Sequence, residues 1–201
     1  MFALVESGSI TQMPKGNKGI QIGDIKYPAA IYTLWNEAER NAIGIYTIEI
    51  DETNRKDEEW YTNTNITYAF GSGKVTGTYG TATAKAIADS TYTSQDKTDG
   101  LIPSDKDVGD LKTEGLKTIK KRIIDNQCAG LLAPSDWRVV KATETGGTMD
   151  SGWKTYRASV RTKCNSMQTQ IDNASDVDAL AALFTRDKDG VRPLGEFPVK
   201  E

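Results

Sequence analysis

The chain has 201 residues, enough for one domain or two small ones, and only 37% of them are hydrophobic, so its core is modest. Lysine and arginine number 25 against 28 aspartates and glutamates, a formal net charge of −3, which gives no bulk reason to expect nucleic acid or an anionic membrane as partner. There is no histidine, which excludes Ser-His-Asp and Cys-His catalysis, histidine-ligated zinc and the usual general base near neutral pH.

The opening MFALVESGSI has no basic stretch followed by an apolar run, so no secretory signal is expected. Phe2 to Val5 is a short apolar run, broken by Ser7-Gly8-Ser9 before Ile10 to Gln12, which predicts strand, turn, strand. Gly16 to Gly19 is a second turn cluster, and Ile20 to Ile22 a further strand that Pro28 ends. One short helix is expected from Asn36, a good N-cap with Glu39 three residues on, to Gly44 as its stop. Ile45 to Ile50 alternates as a half-buried strand.

Trp60, Thr62, Thr64, Ile66, Tyr68 and Phe70 fall on one face of a predicted strand. Gly71-Ser72-Gly73 turns it into a return strand over 74–85, making a hairpin. Its faces are weakly hydrophobic, so it needs a sheet, a helix or a neighbouring chain to lie against. Trp60, Tyr68 and Phe70 are therefore candidates for a strand-mediated contact. Residues 88–106, rich in Ser, Thr, Asp, Gly and Pro, have linker composition.

The remainder predicts helices. Leu116, Ile119, Ile123, Cys128 and Leu131 trace an apolar stripe, with Lys117, Lys120, Lys121 and Arg122 largely off it. Pro134-Ser135-Asp136 is read as its stop, followed by a stretch holding Gly146 and Gly147. The clearest periodicity in the chain is Trp153, Tyr156, Val160, Cys164, Met167 and Ile171. Ser175 with Asp178 starts another short helix carrying Leu180, Leu183 and Phe184, and Asp187 to Gly190 is a turn. The expectation is an α+β chain. A β-rich module over 1–87, with one short helix and a hairpin, precedes a linker over 88–106. A helical-hairpin module with a short extended tail fills 107–201.

Few constellations carry chemistry. Gly71-Ser72-Gly73-Lys74 lacks the earlier glycine and the hydroxyl residue of a phosphate loop, so it reads as a turn. Residues 185–196 have a partial calcium-loop register, but Thr185 holds the first place and Pro193 the ninth, so an Asp-Gly turn is the better account. Cys128 and Cys164 lie on apolar stripes and read as free thiols. Carboxylates are plentiful, but no spacing selects a catalytic pair. No metal or cofactor is expected. Trp137, Trp153 and Tyr156 close the core of a helical hairpin for most of their area, and the same residue types anchor interfaces. Arg157 and Arg161, one turn apart, are placed to pair with carboxylates of this chain or of a partner.

Leu131-Leu132-Ala133-Pro134-Ser135-Asp136-Trp137, followed by Trp153-Lys154-Thr155-Tyr156-Arg157 and Arg161, resembles the signature of tail fibre assembly and tail assembly chaperone proteins of tailed bacteriophages. Met1 to Val5 with Glu6 and Gly8, Tyr27-Pro28 and Ala42 to Tyr46 are similar to the N-terminal module of many phage tail and tail-fibre-associated proteins. These stretches lie within residues 1–46 and 131–161 of the chain. The bridge over 138–152 lacks the Pro-Asp-x-Pro-Leu common in the chaperones, which favours a structural role. The resemblance implies a non-enzymatic component of a virion tail, baseplate or tail fibre, assembled in the host cytoplasm. Its partners would be other tail or tail-fibre proteins or copies of itself, not nucleic acid and not a membrane. The alternative is a chaperone not retained in the virion, and a third, from the carboxylates, is a hydrolase. The interface candidates are Trp60, Tyr68 and Phe70 in the first module and Trp137, Trp153, Tyr156, Arg157 and Arg161 in the second.

Overall fold

A computed structural model describes residues 1–200, so Glu201, the last residue of the expected helical module, lies outside the described residues. The fold is α+β, and the chain divides into two units, Met1–Thr83 and Ala84–Glu201.

In the first unit β1 (Phe2–Glu6) and β2 (Ser9–Gln12) form a hairpin. Its two-residue loop, Ser7 and Gly8, has both φ angles positive, 50° and 80°, the mirror-image turn whose twist matches that of the strands. A small hairpin follows, β3 (Ile20–Ile22) with β4 (Ile25–Tyr27), and then two short helices, α1 (Ile31–Leu34) and α2 (Glu37–Ala42). One helix was expected here. The predicted one is α2, with its capping box in place: Glu39 N–H donates to Asn36 Oδ1 at 3.0 Å, and Asn36 N–H donates to Glu39 Oε2 at 2.8 Å. Gly44 (φ 84°) then turns the chain where a Cβ would stand 2.7 Å from the Val5 carbonyl oxygen.

β5 (Ile45–Asp51) lies antiparallel to β1. After β6 (Tyr61–Thr62), the hairpin β7 (Ile66–Gly71) and β8 (Lys74–Tyr79) closes on Ser72 and Gly73, again both at positive φ. β8 pairs parallel to β5, giving the order β2-β1-β5-β8-β7, and β9 (Thr83–Ala84) marks the end of the unit. The outer strands β2 and β7 approach each other, so the sheet curls. Its inner face buries Ala3, Val5, Ile48 and Val75, with Ile10, Tyr46, Tyr68 and Phe70 packed on them. The opposite face puts Leu4 and Ile45 against Ile20, Ile31 and Tyr32. With apolar neighbours on both faces, β1 is an unbroken apolar run and not an alternation.

The expected continuous strand through Trp60 is corrected. Residue Asn63 breaks it, because its side chain bridges both ways to the Lys56 backbone, accepting at 2.9 Å and donating at 2.8 Å. Trp60 sits in a turn closed by the Asp57 carbonyl, not on the strand with Tyr68 and Phe70.

The expected linker is also corrected. Within 88–106 the chain forms β10 (Ser90–Thr91), paired with β11 (Leu111–Thr113), and α3 (Ser94–Thr98), capped by Thr93 and Asp96. Asp89 accepts from Gly115 N–H at 2.6 Å and from the Thr118 hydroxyl at 2.9 Å, and Ala86 and Ile87 carbonyls accept from Leu116 and Lys117. These residues are the N-terminal cap of the next helix. The Ser, Thr and Asp residues that suggest a linker are equally the residues that cap and turn.

That helix, α4 (Leu116–Leu132), runs into a 3₁₀ turn (Ala133–Ser135), α5 (Asp136–Glu144), α6 (Ser151–Asn173) and α7 (Val177–Phe184). α4 and α6 pack antiparallel, with Lys117 reaching the Asp172 carbonyl at one end and Arg157 the Leu132 carbonyl at the other. The α6 stripe buries Val160, Cys164, Met167 and Ile171 as predicted, with Arg157 added. The α4 stripe is rotated from the expected one. Leu116, Lys120, Ile124 and Cys128, four apart, are buried, while Ile123 is exposed. Lys120 is amphipathic enough to lie there, its stem inside and its ammonium 5.0 Å from the centre of the Phe184 ring. Pro134 does not stop the helical path. It sits in the first turn of the 3₁₀ segment, where no N–H is required of it, and α5 follows. Asp176, not Ser175, caps α7, accepting from Ala179 N–H at 2.8 Å.

Candidate functional site

The end of α4 leaves carbonyls without helical partners. Arg157, from the second turn of α6 and 5% exposed, supplies donors to this corner. One Nη donates to the Leu132 carbonyl at 2.8 Å and to Ser135 Oγ at 2.5 Å, and the other donates to Asp136 Oδ1 at 2.7 Å. Ser135, fully buried, itself donates to the Leu132 carbonyl at 2.8 Å. A planar guanidinium suits this arrangement because its donors diverge in one plane towards three acceptors. Asp136 lies in the first turn of α5, where the helix dipole favours negative charge. The buried charge is thereby paired and hydrogen-bonded.

This lock sets the start of α5 against α6, and the outer surface of α5 stays open. Trp137 and Val140 are each 54% exposed, and Val139 is exposed beside them. The Arg138 guanidinium carbon lies 4.6 Å from the Trp137 ring centre and 4.8 Å from that of Trp153, so the arginine bridges the two helices between their indoles. Trp153 meets Tyr156 edge-on at 6.0 Å, and Lys200 Nζ is 5.5 Å from the Trp153 ring centre. Next to this cluster is a cavity of about 390 Å³ lined by Val139, Ala142, Met149, Lys154, Arg157 and Arg161.

Of the predicted site residues, Trp137, Trp153, Tyr156, Arg157 and Arg161 thus share one corner of the helical unit. Arg157 is interior and structural, whereas Trp137 and Arg161 are exposed. Trp60, Tyr68 and Phe70 do not form a free strand surface. Trp60 is buried, and Tyr68 and Phe70 pack on the inner face of the sheet, Phe70 with its ring centre 4.9 Å from that of Tyr46. Ser135, Arg138, Lys141 and Lys154 belong to the corner but are absent from the predicted site. The signal for them is α5, which carries Arg138 and Lys141 and follows Pro134 without a stop.

The other constellations resolve locally. Asp187 Oδ1 accepts from the Asp189 and Val191 N–H groups, each at 2.9 Å, and Glu196 pairs with Arg186 and Arg192, so the calcium-like segment is a hydrogen-bonded turn. Lys74 at the Gly-Ser-Gly turn pairs with Glu49 at 2.9 Å. Cys128 and Cys164 are buried free thiols. Burial, the neighbouring Cys128 thiol and the Asp125 carboxylate push the Cys164 pKa up to about 12, which leaves it protonated and without nucleophilic character. Among the described residues no group of three Cys, Asp or Glu side chains is placed to hold a metal ion, and no helix is long and apolar enough to cross a membrane. No family model, curated protein or solved structure matches the chain.

Proposed function

We propose that this chain is a non-enzymatic structural component of a tailed-phage virion, held in the tail, baseplate or tail fibre by contacts with other tail proteins or with copies of itself. One observation carries the reading. The two stretches that resemble the phage signature, 131–137 and 153–161, meet in space, and Arg157 of the second donates to Ser135 and to Asp136 of the first. A pattern whose members form one lock has a physical reason to be a unit of sequence. The lock performs no reaction, and what it presents is a fixed helix, α5, with exposed Trp137 and Val140.

The test is mass spectrometry of purified virions from a phage that encodes this chain, compared with lysate. Peptides of the chain retained in the particle after stringent purification are the expected result. A chain found in the lysate bound to fibre protein but missing from particles would overturn the structural role in favour of an assembly chaperone. Turnover of cell-wall glycan by the purified chain would overturn the non-enzymatic reading.

A further inference from the structure

We infer that the corner between α5 and the first half of α6 docks an acidic segment of a partner protein that also carries apolar side chains. The inference rests on the reading of the chain as an assembly component and names the chemistry of one partner surface.

Charge is the first reason. In the helical unit Arg122, Arg157, Arg186 and Arg192 each meet a carboxylate. Arg138, Lys141, Lys154 and Arg161 meet none among the described residues, and all four belong to this corner. The acids nearby are committed. Asp136 serves Arg157, and Asp150 caps α6 by accepting from Trp153 N–H at 3.1 Å. Glu144, in the last turn of α5, remains as the local counter-charge. In a chain of net charge −3 this is a local excess of positive charge, complementary to carboxylates.

Apolar surface is the second reason. Trp137, Val139 and Val140 are exposed on one short helix, and Val139, Ala142 and Met149 line the cavity that Lys154 and Arg161 also line. An acidic segment with apolar side chains would fill the cavity and place carboxylates against the cations, the usual pattern of an apolar centre with a charged rim.

Single-stranded nucleic acid fits less well. Binding by stacking needs open aromatic faces. Here Arg138 lies against both indoles, and Lys200 also stands over the Trp153 ring. The exposed valines offer nothing to a phosphate backbone.

The experiment selects binders of the full chain from a bead-displayed library of random dodecapeptides. Selected peptides are expected to be enriched in Asp and Glu together with Leu, Ile or Phe. The triple variant Lys141→Glu, Lys154→Glu, Arg161→Glu, at three exposed positions, should bind them about tenfold or more weakly, with the loss reduced at high salt. Lys18→Glu, on the other unit, should bind as wild type. Peptides without acidic enrichment, or equal binding by the triple variant, would overturn the inference. So would an oligo(dT) that binds through the same residues and displaces the peptides. Acid-rich binders of a chain missing from virions would sink the tail reading and leave this surface standing. Presence in virions without acid-rich binders would do the reverse.

Discussion

Arg157 on α6 donates to the Ser135 hydroxyl at 2.5 Å, and both side chains are buried where α4 gives way to α5. The same guanidinium reaches Asp136 at 2.7 Å, so one side chain ties the end of one helix, the turn and the start of the next to the facing helix. Arg157→Ala would leave Ser135 Oγ without its donor and the Leu132 carbonyl with the Ser135 hydroxyl alone, and would open a gap in the packing. Equilibrium urea unfolding should show a loss of about 2–3 kcal/mol. Arg157→Lys keeps the charge without the fork and should recover less than half of that loss. Full recovery by lysine would show that charge alone, and not the planar donor geometry, matters.

Trp137 makes contacts with Arg138 and Lys141 but stays 54% exposed. Trp137→Ala should therefore change stability by less than about 1 kcal/mol. Binding of the acidic peptides described above should weaken about tenfold or more, because a large exposed aromatic is the type of residue that anchors contacts. Trp153→Ala is the contrasting variant. It removes a ring wedged between Arg138 and Tyr156, and thermal unfolding should show lost stability before any effect on binding is read.

Gly115 has an ordinary extended backbone, φ −82° and ψ 168°, which any residue adopts. A Cβ there would stand 2.3 Å from the Ala88 carbonyl carbon. Gly115→Ala is thus a pure test of close approach between the α4 cap and residues 87–88. It should destabilise by about 1–3 kcal/mol in denaturant unfolding. A neutral result would mean that residues 87–88 move aside freely, as a linker would.

Asp96 accepts from Thr93 N–H at 2.8 Å and pairs with Lys112 at 2.5 Å, and its pKa falls from the ordinary 3.8 to about 2. Lys112 is the largest cause, followed by the Thr93 N–H. A depressed carboxyl pKa contributes stability that is complete above the unfolded value and is lost as pH falls through the folded one. Amide protection around α3 and β10–β11 should therefore hold down to about pH 4 and decay towards pH 2, as followed by NMR hydrogen exchange. Asp96→Asn should flatten this dependence, and an unchanged profile would remove Asp96 as its source.

The Cys128 and Cys164 thiols are buried, and Cys164 is held in its protonated form well above neutral pH. At pH 8 a disulfide reagent such as Ellman's should leave both unmodified in the folded chain and titrate both in urea. Fast labelling of the folded chain would show that α4 and α6 part readily.

Local chemistry was the part most open to reading. The Asn36–Glu39 box, the Ser-Gly turns and the α6 stripe each depend on neighbours within a few residues, and each stands as expected. Structure departs from expectation where one local pattern has two tertiary outcomes. Trp60 alternates with Tyr68 on paper, but Asn63 takes hydrogen bonds from elsewhere in the chain and ends the strand. The 88–106 composition suits a linker and a cap equally, and only Gly115 and Thr118, far along the chain, decide for the cap. Among the candidate residues the helical set converges on one corner, while the strand set is consumed by the core of its own sheet.

By itself the amino-acid sequence determined the α+β order, the absence of histidine chemistry and the residues of α6 that face inward, because period and composition are local quantities. Only the tertiary structure decided which stripe of α4 is buried, that the path continues past Pro134, and that Arg157 points inward while Arg161 stays exposed. The reason is physical. A helix carries several faces of similar polarity, and which one is buried depends on the partner that arrives. For Arg157 that partner is the Leu132 carbonyl, an acceptor that exists only once α4 has ended beside it.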